Sequence, residues 1–216
     1  MRSYFVTLGF NETFLLRLLS ETSARKDDSL TIIVPSPISS GTEAALDNLK
    51  VQAERLYGLT PRVVEISLEG SFVELLGRVL DQVLVLAQPI ITDLTLGMRM
   101  LDSLILTALI VTGKEFQAYV RDESGGGKVI SFGKSEINAL MRQYSVEEMR
   151  LLDALRRTGD IRELASTLGK SEKTLQNKVS ELKRFGIVTM VGRDRKVRLT
   201  PLGECVMKLV EGRTRS

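Results

Sequence analysis

Apolar residues in this chain alternate between short dense runs and a three-and-four repeat. Tyr4–Leu8 is a β-rich run ending at Gly9, and Asn11–Thr22 follows with Phe14, Leu15, Leu18 and Leu19 at helical spacing. Leu30–Val34 predicts a second buried strand, stopped by Pro35-Ser36-Pro37. Glu43–Tyr57 predicts a helix with Leu46, Leu49, Ala53 and Leu56 on one stripe. Arg62–Ser67 alternates as a third strand. Ser71 and Glu74 have capping-box spacing ahead of the helix Phe72–Leu86. Pro89–Thr95 reads as the fourth strand and Met98–Val111 as the next helix. Phe116–Arg121 and Lys128–Phe132 read as strands joined by the glycine-rich turn Asp122–Gly127. Repeated strand–helix–strand units imply right-handed crossovers and an α/β fold, a mostly parallel sheet covered on both faces with an antiparallel hairpin at one edge.

The pattern changes at residues 133–144, which read as a linker with a short helix through Ile137–Met141. Helices then dominate. Ser145 and Glu148 form a second capping box before Ser145–Arg157, Asp160 caps Ile161–Leu168, and Ser171 caps a helix to Phe185. A strand, a turn near Gly192–Lys196 and a second strand follow, and Pro201 opens a last helix, Leu202–Val210. This order predicts an α+β winged helix-turn-helix, so the chain divides into residues 1–132, a linker 133–144, and residues 145–216.

Charge sharpens that division. The net charge is only +3, but residues 1–140 hold 13 Lys+Arg against 17 Asp+Glu, and residues 141–216 hold 17 against 10. A basic part suits a polyanion. Leu175, Val179 and Leu182 must face the small core of Leu151, Leu152, Leu155, Leu164 and Leu168. The rest of that helix then presents Lys173, Gln176, Asn177, Ser180 and Arg184, with Ser171 and Thr174 at its start. In the major groove Gln and Asn can pair with adenine, and Lys or Arg with guanine. Arg193, Arg195, Lys196 and Arg198 at the hairpin suit phosphates or a narrow minor groove. A solvated basic face is the plain alternative. It leaves the helix order, the turn and the hairpin unexplained, so double-stranded DNA is the expected partner.

Composition excludes other chemistry. There is no histidine and a single cysteine, Cys205, which removes histidine bases and ligands and any intrachain disulfide. A metal site is not expected, and a reduced, cytoplasmic setting is. The longest apolar stretch, Leu80–Gly113, is broken by Asp81, Asp93, Arg99 and Asp102, against a membrane span.

In a doubly wound sheet the first and fourth strands lie side by side, and ligands enter the crevice at their C-terminal ends. Two loops should meet there, Thr7-Leu8-Gly9-Phe10-Asn11-Glu12 and Thr95-Leu96-Gly97-Met98-Arg99. Each opens a helix whose free N–H groups favour an anion, and Arg99 adds a guanidinium. Glycines after strands also serve tight turns; two of them at one switch point put a binding crevice on an equal footing with that plain reading. The first loop, GFNETF, is neither a dinucleotide fingerprint nor a Walker A sequence, so no ordinary nucleotide cofactor is expected. Met98–Val111 is apolar almost all round, which calls for burial and fits a homodimer interface.

A strand ending Thr7-Leu8-Gly9-Phe10, a fourth strand leading into Leu96-Gly97-Met98-Arg99, and a C-terminal winged helix together resemble the CARF-domain regulators, CRISPR-associated Rossmann-fold proteins. Within that group the chain is similar to the archaeal Csa-type transcription regulators. The resemblance covers nearly the whole chain, and the order of the short motifs with the appended module carries it. It implies a Rossmann-like sensor, paired across a two-fold axis, that binds a cyclic oligoadenylate, most often cyclic tetra-adenylate. It implies ligand contacts at Thr7, Gly9, Phe10 and Asn11 and at Thr95, Gly97, Met98 and Arg99. Many relatives carry a Gly-Gly-Thr-Lys type of second loop; here Arg99 keeps the positive charge. The implied function is ligand-responsive transcription regulation of CRISPR-associated genes in antiviral defence, the ligand resetting the spacing of two winged helices. Two other functions share the fold. In a ring nuclease a ribose 2′-hydroxyl would attack the adjacent phosphate beside Arg99, although neither loop offers a histidine or lysine. A regulator could also sense an unrelated small anion.

Overall fold

Strand β1 (Ser3–Thr7) is buried along its whole length, as a near-continuous apolar run in the middle of a parallel sheet should be. The computed structural model describes residues 1–122, 127–192 and 195–215, with side chains as far as residue 212. β1 is followed by α1 (Thr13–Glu21), β2 (Ser29–Ser36), α2 (Ser40–Tyr57), β3 (Arg62–Ser67), α3 (Phe72–Leu84), β4 (Ile90–Asp93), α4 (Arg99–Thr112), β5 (Phe116–Arg121) and β6 (Val129–Gly133). The sheet order is β3-β2-β1-β4-β5-β6, parallel except for the β5–β6 hairpin. Leu15, Leu18 and Leu19 of α1 and Leu46, Leu49 and Ala53 of α2 bury one face with Tyr4, Val6, Leu30, Ile32 and Val34. On the other face α4 packs on β1, α3 on β3, and the two helices on each other.

The expected boundaries shift where local packing overrides pattern. β2 runs on through Pro35. β1 ends at Thr7 opposite Ile33, so Pro35 lies past the point where β2 is flanked on both sides, and its missing N–H costs little. α2 starts earlier than its apolar stripe, because the Ser39 side chain accepts the Thr42 N–H as an N-cap. β4 stops at Asp93, where the chain turns. Of the Asp122–Gly127 turn, residues 123–126 lie outside the described residues.

The chain separates into Met1–Lys134 and Ser135–Ser216. The segment 133–144, expected as a linker, is instead largely the helix α5 (Lys134–Met141). Ala139 is fully buried in the core of the second unit, and Leu140 and Tyr144 pack against that core. Apolar burial at these positions turns a connector into part of the folded unit. α6 (Val146–Leu155), α7 (Ile161–Leu168), α8 (Glu172–Arg184), β7 (Val188–Val191), β8 (Lys196–Leu199) and α9 (Pro201–Arg215) follow. This is a winged helix-turn-helix. Ser145 with Glu148, Asp160 and Ser171 cap the three helices as their spacing predicts. Gly169 ends α7 in the left-handed region at φ 62°, which lets the chain reverse into α8. Leu151, Leu152, Leu164, Leu175, Val179 and Leu182 form its centre.

Candidate functional site

Because β1 and β4 are neighbours, the loops after them meet. The Gly9 N–H donates to the Leu96 carbonyl at 2.8 Å. Gly97 lies flat on Thr7: a Cβ at position 97 would stand 2.6 Å from the Thr7 Cβ. Its lack of a side chain is thus required by this close approach. Thr7 is fully buried and its hydroxyl donates to Asp102 Oδ1 at 2.7 Å. Phe10 is 77% exposed and packs against Gly41 at the start of α2. Asn11 is exposed, and its Oδ1 accepts the Thr13 N–H at the start of α1. Thr95 gives both its N–H and its hydroxyl to Asp93 Oδ1. Met98 is the N-cap residue of α4, without a side-chain cap, and Arg99 is exposed in the first turn. Thr95, Gly97, Arg99, Asp102, Ser103 and Leu106 wall a pocket of 260 Å³ at that helix start. A 90 Å³ recess lies at Phe14, Thr95, Arg121 and Asp122.

Three ionisable residues that the sequence pattern passed over sit beneath these loops. Asp93 is fully buried, and its Oδ2 accepts from Arg121 Nε at 2.5 Å. Arg121, also buried, donates from Nη2 to Glu21 at 2.9 Å. Asp102 faces the sheet from the first turn of α4; only its Oδ1 is hydrogen-bonded, and Oδ2 is buried without a partner. Asp102 was the one legible signal, an acid set in an apolar helix. Burial pushes its carboxyl up to about 6, the Thr7 hydroxyl opposes this, and nearby Asp93 adds to it.

The stability of the fold therefore depends on pH through this group. Asp102 holds its proton more tightly folded than unfolded, so its contribution is fully present below the ordinary aspartate value of 3.8 and is lost as pH rises through about 6. At 1.36 kcal/mol per pH unit, the ionised group costs the fold roughly 3 kcal/mol at neutral pH. Asp102→Asn keeps an acceptor for Thr7 and carries no charge. Urea unfolding should find it close to wild type at pH 4 and more stable by up to about 3 kcal/mol at pH 7.5.

In the second unit, Lys173, Gln176, Asn177, Ser180 and Arg184 all lie on the exposed side of α8, away from Leu175, Val179 and Leu182. Arg195, Lys196 and Arg198 are exposed along the hairpin; Arg193 lies outside the described residues. Three hydroxyls of the set are engaged locally. Ser171 caps the helix by accepting the Thr174 N–H and bonds the Thr174 hydroxyl, and Ser180 donates back to the Gln176 carbonyl. The wing is pinned from behind. Val197 N–H donates to the Gly159 carbonyl at 2.9 Å, and Gly159 lies so close to β8 that a Cβ there would strike the Val197 carbonyl.

The structure therefore defines a class: a Rossmann-like α/β unit with a ligand-type crevice, followed by a winged helix with a basic outer face. Residues 2–133 match the model of the Csa3 CRISPR-associated Rossmann-like domain, and the chain belongs to that family. Residues 143–201 match a second family model, HVO_A0114. The chain is 58% identical over 211 residues to the Csa3 protein of Saccharolobus solfataricus, a CRISPR locus-related protein to which DNA binding is attributed; this covers 97% of the chain and 89% of that relative. Among solved structures it is similar to Can2 of Sulfobacillus thermosulfidooxidans in complex with cyclic tetra-adenylate, at 9% identity and a TM-score of 0.39. It is also similar to protein VC1899 of Vibrio cholerae, at 12% identity and a TM-score of 0.44. Those alignments cover 99% and 98% of this chain but 66% and 64% of the solved chains, so the chain spans about two thirds of their length. Among the described residues, no helix is long and apolar enough to cross a membrane.

Proposed function

We propose that this protein is an effector-gated transcription regulator that binds double-stranded DNA through α8 and the wing and a cyclic oligoadenylate through the crevice of its first unit. The observation that carries the reading is the pairing, in one chain, of an exposed basic helix and hairpin with a crevice where the β1 and β4 loops are hydrogen-bonded to each other. The positive end of α4 and the Arg99 side chain both line the pocket, which favours a phosphate-bearing ligand. The family resemblance makes cyclic tetra-adenylate the first ligand to test, and its repeated units suit a site shared by two protomers.

The same reading makes the protein a homodimer. The buried side of α4 carries Leu101, Leu104, Ile105, Ala108 and Leu109, yet Met100 and Val111 are exposed and Leu106 and Ile110 only half-buried. Phe72, Val73, Leu84 and Val85 around α3 are also exposed, so apolar surface remains for a second copy to cover. Gating then follows from linkage: the ligand must favour one state of the dimer over the other, and DNA affinity changes by the same factor as ligand affinity.

The test is duplex DNA from upstream of CRISPR-associated genes, titrated at fixed salt with and without cyclic tetra-adenylate, alongside thermal melting and sedimentation. The expected outcome is a dimer whose melting temperature rises with the ligand and whose DNA affinity shifts by at least about 5-fold. Unchanged melting and unchanged DNA affinity would reject this effector.

A further inference from the structure

We propose that Asp102 is a contact for the effector that takes up one proton as the effector binds, turning Oδ2 into a hydrogen-bond donor to a phosphate oxygen at the start of α4. This rests on the effector reading above. The geometry that carries it is a buried carboxyl in the wall of an anion-type pocket. Asp102 is 5% exposed, it lines the 260 Å³ pocket with Thr95, Gly97, Arg99 and Ser103, and its Oδ2 has no partner. The N-terminal end of α4 favours one negative charge beside it. An ionised Asp102 and a phosphate would compete for that position and repel each other. A protonated Asp102 removes the repulsion and supplies the donor that Oδ2 lacks.

The groups packed around Asp102 leave it to take the proton. From β1 it meets the Thr7 hydroxyl, already donated to Oδ1. From β4 it meets the field of Asp93, whose own oxygens are held by Thr95 and by Arg121 of β5. Arg99 precedes it on α4, and the buried residues of α3, the helix packed alongside, are Leu75, Val79 and Val83. Burial already brings the carboxyl to about 6 in the free protein, so a modest further push by a phosphate protonates it near neutrality. The proton comes from solvent and adds to the carboxylate; no other bond changes.

Calorimetric titration of the full chain with cyclic tetra-adenylate, in two buffers of different ionisation enthalpy, measures the protons exchanged. The expected result at pH 7 is net uptake of roughly 0.4 proton or more per occupied Asp102, rising toward one as the bound midpoint moves above 7, with affinity falling by up to 10-fold per pH unit above about 6. Asp102→Asn should bind with no uptake and a flat pH profile. Should that variant fail to fold, the carboxyl carbon resonance of Asp102 in the wild type assigns the proton instead, its midpoint moving up on ligand addition. Binding without proton exchange, uptake retained by Asp102→Asn, or a midpoint that stays put overturns the proposal and leaves the effector reading standing. No binding at any pH overturns both.

Discussion

Replacing Arg195, Lys196 and Arg198 together by alanine should weaken duplex DNA binding roughly 100-fold per protomer at about 0.15 M salt while leaving the unit folded. Counter-ion release sets that magnitude. Each phosphate contact contributes about 0.9 to the slope of log affinity against log salt, so one contact is worth about 5-fold at that salt and three about 100-fold. All three side chains are exposed, whereas the hairpin is held by its ladder and by buried Val188 and Val197. Their loss should therefore register in the salt slope, lowered by about 2.7, and not in the melting temperature. Filter binding across a salt series reads the slope. Gln176→Ala and Asn177→Ala offer the contrast. These exposed amides on α8 carry no charge, so they should leave the slope alone and cost about 1–3 kcal/mol of discrimination at the base pairs they contact. An unchanged slope in the triple variant would remove the wing from the interface.

Why the exposed basic face of α8 could be read from sequence while the crevice between the β1 and β4 loops was read only in outline has a physical basis. α8 is amphipathic, so placing Leu175, Val179 and Leu182 inside forces Lys173, Gln176 and Arg184 outside. Caps are equally local: Ser71 with Glu74, and Ser145 with Glu148, act over one turn and sit where their spacing puts them. The neighbouring positions of β1 and β4 followed from the doubly wound order, and with them the meeting of the Gly9 and Gly97 loops. The charges beneath those loops obey no such local rule. Thr7 and Asp102 are 95 positions apart, and Arg121 reaches 28 positions to Asp93 and 100 to Glu21. Only the folded sheet brings them together. The same holds for α5. Its sequence is polar enough to pass for a connector, and it is fixed by the burial of Ala139, a small residue that gives little periodic signal. Gly97 shows the limit from the other side. A glycine at a ligand loop reads as an approach route for ligand, yet the close neighbour it accommodates here is Thr7.

Glu148→Ala should destabilise the winged-helix unit by about 2–4 kcal/mol, the loss of a helix cap together with two charge-assisted hydrogen bonds, since Arg142 and Lys178 both keep Glu181. The Glu148 side chain is only 4% exposed and has three partners. Oε2 accepts the Ser145 N–H at 2.8 Å, and Oε1 takes Arg142 Nη2 at 2.6 Å and Lys178 Nζ at 3.0 Å. Arg142 follows α5 and Lys178 belongs to α8, so one carboxylate ties the end of α5 to α8. Without it, Arg142 keeps Glu181 and the Phe185 ring, 4.7 Å from its guanidinium carbon, while its Nη1 is already buried without a partner. The exposed pair Arg157–Asp153, with side chains 79% and 52% accessible, sets the scale from below, and its loss should cost under about 1 kcal/mol. For a unit of this size each kcal/mol moves the melting temperature by about 4–8 °C, so Glu148→Ala should lower that transition by at least about 8 °C. The sign with pH follows from the carboxyl itself. Burial would raise it, but the Ser145 amide, Lys178 and Arg142 together hold it below the ordinary glutamate value of 4.5. Its stabilisation is therefore complete above pH 4.5 and lost as pH falls through the lower folded value. Glu148→Gln should flatten that acid limb. Asp102 acts in the opposite sense, its contribution growing as pH falls through about 6. Acidification from pH 7 to 5 should accordingly raise the transition of the first, Rossmann-like unit in calorimetry and leave the winged-helix transition in place. A transition of that first unit that fell with pH over the same range would contradict the placement of the buried acid.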